Sequence, residues 1–167
     1  SIESGQLTLN LQPGNLRGLI DERVKLYNHL ATEKNIRFNI NFQETTAVSF
    51  DTTRIGQVLD NLLTNAIKFS PVGGVIDIII ESGKGYIRVT ITDEGPGIKS
   101  ENLDNLFKPF KKIESDLTKC EKGTGLGLAI AKKMIELHNG TLTFKPSKNQ
   151  GACFSFKLPA NPSSFQP

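Results

Sequence analysis

The segment QVLDNLLTNAIKFS (57–70) sets Asn61, Asn65 and Lys68 at i, i+4 and i+7. At about 100° per residue these three side chains fall within roughly 60° of one another on a helix. Amide oxygens can ligate a hard cation such as Mg²⁺, and a neighbouring ammonium can meet phosphate. The competing reading is the solvated side of an amphipathic helix. Against it, asparagine is a mediocre helix former, and two of them mid-helix are unfavourable without a use. On these residues alone both readings stand.

Two further stretches carry chemistry. In DEGPGI (93–98), Asp93 closes a strand and is followed by Gly95 and Gly97. These are turn-forming residues. They also suit a carboxylate that accepts a hydrogen bond from a ligand amine, with glycines that let backbone approach the ligand. In GTGLGLAIAKKMIELHNG (123–140), Gly123, Gly125 and Gly127 run into a helix. Glycines at a helix entrance free N–H groups to face an anion, and the helix dipole favours negative charge there. The spacing is neither G-x-x-x-x-G-K-[ST] nor G-x-G-x-x-G, which excludes the Walker and Rossmann phosphate loops. No H-R-D or D-F-G occurs, which excludes the serine/threonine kinase set.

The surrounding pattern supplies elements to hold these residues. LTLNLQP (7–13) reads as a short strand stopped by Pro13. Asn15 then caps a helix to about Lys34, with Leu16, Leu19, Ile20, Val24, Tyr27 and Leu30 facing inward. IRFNINF (36–42) alternates as a strand, and AVSF (47–50) is another. Asp51 caps the clearest helix, with Ile55, Val58, Leu59, Leu62, Leu63, Ala66 and Ile67 as its apolar stripe, ended by Ser70–Pro71. Residues 75–82 and 86–93 form a hairpin. From Glu94 to Lys122 the chain is polar and irregular, with one short helix near 100–107; such long segments are often lids or binding loops. A helix over 125–138 and a second hairpin, 141–146 with 152–159, follow. This order predicts an α+β two-layer sandwich, a mixed and mostly antiparallel sheet with helices on one face.

Composition narrows the classes. The 167 residues suit one domain, and 37 % hydrophobic with 22 % charged residues is ordinary for a soluble globular chain. No apolar run reaches the 18 or more residues of a membrane span, and the opening residues lack the apolar core of a signal peptide. A net charge of +3 is too balanced to argue for nucleic acid; KPFKK (108–112) and Lys132–Lys133 are local basic clusters. Cys120 and Cys153 share no metal-type spacing and read as reduced thiols of a cytosolic protein.

Taken in order, NLLTNAIKFS, DEGPGI, LFKPF and GTGLGLAI resemble the N box, first glycine box, F box and second glycine box of the catalytic, ATP-binding domain of sensor histidine kinases, which has the Bergerat fold. The resemblance runs from about Leu7 to Pro159. It implies Asn65 as the Mg²⁺ ligand, Asn61 assisting at the phosphates, Lys68 on phosphate and Phe69 against the adenine. It implies Asp93 as acceptor for the adenine amino group, with Gly95, Gly97 and Ile98 shaping the base pocket. Phe107 and Phe110 would anchor the lid. Gly123, Thr124, Gly125, Leu126, Gly127 and Leu128, with Lys122 before them, would close over the phosphates. Asn61, Lys68 and Thr124 carry the catalytic assignment, and Mg²⁺ and ATP are the implied ligands.

The same resemblance implies residues 1–13 as a junction from an absent dimerising and phosphoacceptor domain, 14–160 as the catalytic domain with a lid over 94–122, and 161–167 as a flexible tail. Gyrase and heat-shock chaperones of this superfamily carry an acid four residues before the magnesium asparagine, which activates water. Here Asn61 stands there, an amide that cannot act as a general base at neutral pH. His29 lacks the flanks of the family's phosphoacceptor and His138, at the end of a helix in IELHNG, reads as structural, so the acceptor helix is expected elsewhere, on a cytoplasmic kinase that is either soluble or membrane-anchored. Its expected partners are ATP, that helical domain and, indirectly, a response regulator; neither nucleic acid nor membrane contact by this chain is expected. A stand-alone anti-sigma-type kinase and a degenerate nucleotide-binding module are the alternatives.

Overall fold

Two helix caps fix where the polar loops must leave the core. The computed structural model describes residues 2–3, 6–43, 47–109, 127–146 and 151–160. Strands β1 (Ile2–Glu3) and β2 (Gln6–Leu7) pair with each other, and β3 (Gln12–Gly14) precedes helix α1 (Leu16–Glu33). Asn15 caps α1 by accepting from the Gly18 N–H at 3.0 Å. Strands β4 (Arg37–Phe42) and β5 (Val48–Phe50) lead to helix α2 (Thr52–Phe69), where Asp51 accepts from the Arg54 N–H. The hairpin β6 (Val75–Gly83) and β7 (Tyr86–Thr92) follows, then a 3₁₀ turn over Ser100–Asn105. Helix α3 (Gly127–Leu137) and strands β8 (Thr141–Pro146) and β9 (Ala152–Pro159) are the last described elements.

Five strands form one sheet in the order β4-β6-β7-β9-β8, with β4 parallel to β6 and every other pairing antiparallel. Strict alternation buries one face: Ile76, Ile78 and Ile80 on β6, Ile87, Val89 and Ile91 on β7, Phe154, Phe156 and Leu158 on β9. The apolar sides of α1, α2 and α3 join these residues in a single core. The expected sandwich is therefore the observed one. Among the described residues no helix is long and apolar enough to cross a membrane.

The first strand differs from the sequence expectation. Residues 8–11 are not a strand, and Pro13 lies inside β3, opposite Ser49 of β5, instead of stopping it. A two-stranded sheet leaves each strand an outer edge, where proline's missing N–H costs nothing. The Asn10 N–H is spent on the Asp51 carboxylate at 2.9 Å rather than on a ladder. The short helix expected near 100–107 is a 3₁₀ turn that ends at Asn105.

Leu59 is fully buried between α2 and the sheet. Leu59→Ala should destabilise the domain by about 2–5 kcal/mol through lost burial and the cavity left behind. A urea unfolding curve with an unchanged midpoint would contradict this placement.

Candidate functional site

Helix α2 positions the first polar group. Its apolar stripe is held on the core, so Asn61, Asn65 and Lys68 lie half-buried on another side. Asn61 donates from Nδ2 to the Gly127 carbonyl at 3.0 Å, which joins it to the first residue of α3. A Cβ on Gly127 would sit 3.2 Å from Asn61 Oδ1, so this junction is close-packed as well as hydrogen-bonded. The Asn65 amide has no hydrogen-bond partner among the described residues. Lys68 Nζ lies 5.8 Å from the centroid of the Phe69 ring.

The last turn of α2 is clamped from α1, through a residue that sequence reasoning left unassigned. Lys34 donates from Nζ to the carbonyls of Ile67 and Lys68, at 2.8 and 3.1 Å. An ammonium at the negative end of a helix is favourable, and these are the carbonyls that lack intrahelical partners. No local pattern marks Lys34 for this, because its partners lie 33 and 34 residues away. The clamp holds Phe69, whose carbonyl packs against Gly95 so closely that a Cβ there would collide with it.

Asp93 is the most constrained ionisable group of the site. It is 4 % exposed, and its Oδ1 accepts from the N–H groups of Gly95 at 2.9 Å and Ala152 at 3.1 Å. Among the described residues both side-chain hydrogen bonds of Asp93 fall on Oδ1, which leaves Oδ2 for another donor. Burial pushes the carboxyl above its ordinary value; the two N–H groups pull it down and only partly offset the burial. Gly151 packs on the Asp93 carbonyl, where any Cβ would clash, so β9 reaches the back of the site through a glycine. Gly97 has φ 76°, a conformation open to glycine at little cost. Glu94 turns away and accepts the Val75 N–H at 2.7 Å, tying this loop to the start of β6.

Beyond this loop, Ile98, Phe107 and Leu128 are partly buried against the core. Phe107 meets Phe154 edge-on, with ring centroids 6.3 Å apart, and carries the Lys132 ammonium 4.9 Å from its own centroid. The structure thus joins Phe69 to Gly95 and Asp93, Asn61 to Gly127, and Phe107 to β9 and α3. Phe110, Lys122, Gly123, Thr124, Gly125 and Leu126, with the 110–122 part of the expected lid, lie outside the described residues. Among the described residues no three His, Cys, Asp or Glu side chains gather as a metal cluster. Of the two histidines, His29 is exposed on α1 and His138 is buried at the end of α3.

Comparison with known proteins places this arrangement among relatives. The pattern of the family described as "Histidine kinase-, DNA gyrase B-, and HSP90-like ATPase" matches residues 50–162. The non-motile and phage-resistance protein of Caulobacter vibrioides is 36 % identical over 95 % of this chain and 19 % of its own. The signal transduction histidine-protein kinase BarA of Escherichia coli is 34 % identical over 94 % of this chain and 18 % of its own. The chain therefore spans about a fifth of the length of these relatives. The solved catalytic domain of the histidine kinase ThkA superposes with a TM-score of 0.82 at 34 % identity, over 93 % of this chain and 99 % of that one. ThkA has also been solved in complex with the response regulator protein TrrA; that structure superposes with a TM-score of 0.77 at 34 % identity, over 92 % of this chain and 42 % of that one.

The environment of Asp93 has a measurable consequence. A carboxyl whose folded-state pKa lies above its unfolded value costs stability wherever it is ionised in both states, and the cost fades as pH falls through the folded value. Asp93→Asn keeps an oxygen for Gly95 and Ala152 but removes the buried charge. The ligand-free variant should melt above the parent at neutral pH, and the gap should close on acidification. A variant that melts below the parent at neutral pH would contradict the buried-charge account.

Proposed function

Because the chain belongs to the family of histidine kinase-, DNA gyrase B- and HSP90-like ATPases, as a histidine kinase catalytic domain, we propose that it binds Mg-ATP and donates the γ-phosphoryl group to a histidine on a separate helical domain. The observation that carries the reading is Asp93, a buried carboxylate with Oδ1 occupied and, among the described residues, Oδ2 uncommitted. Adenine offers an amino group there, whereas guanine offers a carbonyl that cannot donate. Gly95, with no Cβ, lets the loop after Asp93 pack directly on the Phe69 carbonyl, which sets the carboxylate beside the end of α2.

The polar side of α2 then faces the phosphates. Lys68 meets phosphate charge, and Asn65 suits a hard cation because its half-buried amide is not spent on a partner among the described residues. Magnesium usually keeps several waters and phosphate oxygens, so one protein amide is a sufficient anchor; when bound, it neutralises phosphate charge. Thr124 and the glycines before Gly127 complete the phosphate enclosure in this reading. Asn61 cannot take a proton from water at neutral pH, and its amide is held on the Gly127 carbonyl. The site binds ATP without a base to hydrolyse it, and transfer awaits a nucleophile held in line at close range.

The acceptor histidine is supplied by a dimerising helical domain, and the phosphoryl group passes on to a response regulator. The parent kinase keeps this domain in the cytoplasm.

The test is direct. By calorimetry the chain should bind ATP, and Asp93→Asn should weaken that binding by about 1–3 kcal/mol, as one side of a buried polar pair is lost. Equal affinities would remove Asp93 from adenine recognition. Asn65→Ala should abolish the gain in affinity that Mg²⁺ confers without unfolding the chain, since a half-buried amide carries little packing. Retention of that gain would place the cation elsewhere. With γ-labelled ATP the chain alone should neither label itself nor release phosphate at the rate of a dedicated ATPase; adding the helical domain should label that domain's histidine. Acid-labile label on His29 or His138 would contradict the proposed division of labour.

A further inference from the structure

Helices α2 and α3 run antiparallel and are joined by two polar clasps. One is the Asn61–Gly127 bond at the start of α3. The other lies at its far end, where the Asp51 N–H donates to His138 Nε2 at 3.0 Å. A backbone N–H can only donate, so Nε2 is unprotonated. His138 Nδ1 lies 2.7 Å from the Met134 carbonyl and must carry the proton. His138 is 7 % exposed, and both ring nitrogens are committed in one neutral tautomer.

This bond replaces a missing local one. The N-cap residue's own N–H is one of the unsatisfied donors of a helix start, and a Glu or Gln at the third helical position commonly accepts it. In α2 that position is Arg54, which has no acceptor. His138 fills the role from the neighbouring helix. The intervals Asp51–Asn61 and Gly127–His138 are nearly equal, about 15 Å and about 16 Å at 1.5 Å per residue. Both clasps can therefore close only in one axial register of α3 on α2. Small apolar contacts such as Ala131 tolerate sliding better than a hydrogen bond does.

We infer that His138 is a positioning residue for Gly127, at the phosphate-facing start of α3. Its bond to Asp51 fixes the axial position of α3, and with it the level at which Gly127 meets Asn61. The same Asp51 carboxylate accepts the Asn10 N–H, so the incoming segment before α1 is anchored on this clasp too. The inference rests on the nucleotide reading above. It adds a residue that contacts no ligand and acts through α3.

Two near-isosteric variants separate this role from ordinary helix capping. His138→Gln places an amide oxygen near the Nε2 position and keeps the Asp51 clasp. His138→Asn places an amide donor near the Nδ1 position and keeps only the local bond to Met134. Affinities for ATP and for adenosine are measured for both variants and the parent. His138→Asn should lose fivefold or more in ATP affinity with adenosine affinity within twofold of the parent, because Asp93, Gly95 and Phe69 lie on other elements. His138→Gln should stay within threefold of the parent for both ligands. Equal behaviour of the two variants, or parallel loss of ATP and adenosine, would overturn the inference. Should His138→Asn not fold, nitrogen NMR of the parent decides: the Nε2 resonance should move on addition of ATP and not of adenosine, and a signal indifferent to ATP overturns the inference. A parent that binds no ATP would sink the nucleotide reading and this inference together, whereas normal ATP binding by parent and His138→Asn alike would sink this inference alone.

Discussion

Helix α2 buries Val58, Leu59, Leu62 and Leu63 against the sheet, and this burial forces its amides and Lys68 out of the core. Each such side chain contributes about 1.5–3 kcal/mol when removed from water. Rotating α2 by one residue would expose that stripe and bury Asn61 and Asn65, so the orientation of the polar side is set by apolar contacts. The other features of the site meet α2 at particular points. Gly95 packs on its last carbonyl, Gly127 on Asn61, and Lys34 closes its C-terminus.

The site carries a cost at Asp93. A carboxylate held among apolar neighbours is less stable charged than in water, and two N–H donors only partly compensate. Asp51, also buried, shows the contrasting case. Burial pushes it up, but the N–H groups of Asn10 and Arg54, then the charge of Arg54, more than offset this and hold its carboxyl below the ordinary value. Its contribution to stability is present above the unfolded-state pKa and is lost as pH falls through the folded one. Asp51 is a structural anion with its partners in place. Asp93 is a buried anion with one oxygen unspent, which suits a ligand-binding role.

Close backbone approach explains why glycines gather here. Gly95 against Phe69 and Gly151 against Asp93 each leave no room for a Cβ. These contacts bring three segments distant in sequence to within one side chain's width of each other.

Short-range signals were enough to read much of this protein from its sequence. The stripe on α2, the caps Asn15 and Asp51, the hairpins and the two-layer sandwich follow from periodicity and capping over a few residues, and four ordered motifs pointed to the family. Tertiary structure decided what depends on distant partners. Residues 8–11 left the strand because the Asn10 N–H found a carboxylate 41 residues away, and Pro13 became an edge residue because β5 arrived beside it. The environment of Asp93 needed Ala152, 59 residues on, and the role of His138 needed Asp51, 87 residues back. A hydrogen bond acts over about 3 Å, so its partner is set by how the chain returns through space, which local sequence does not encode.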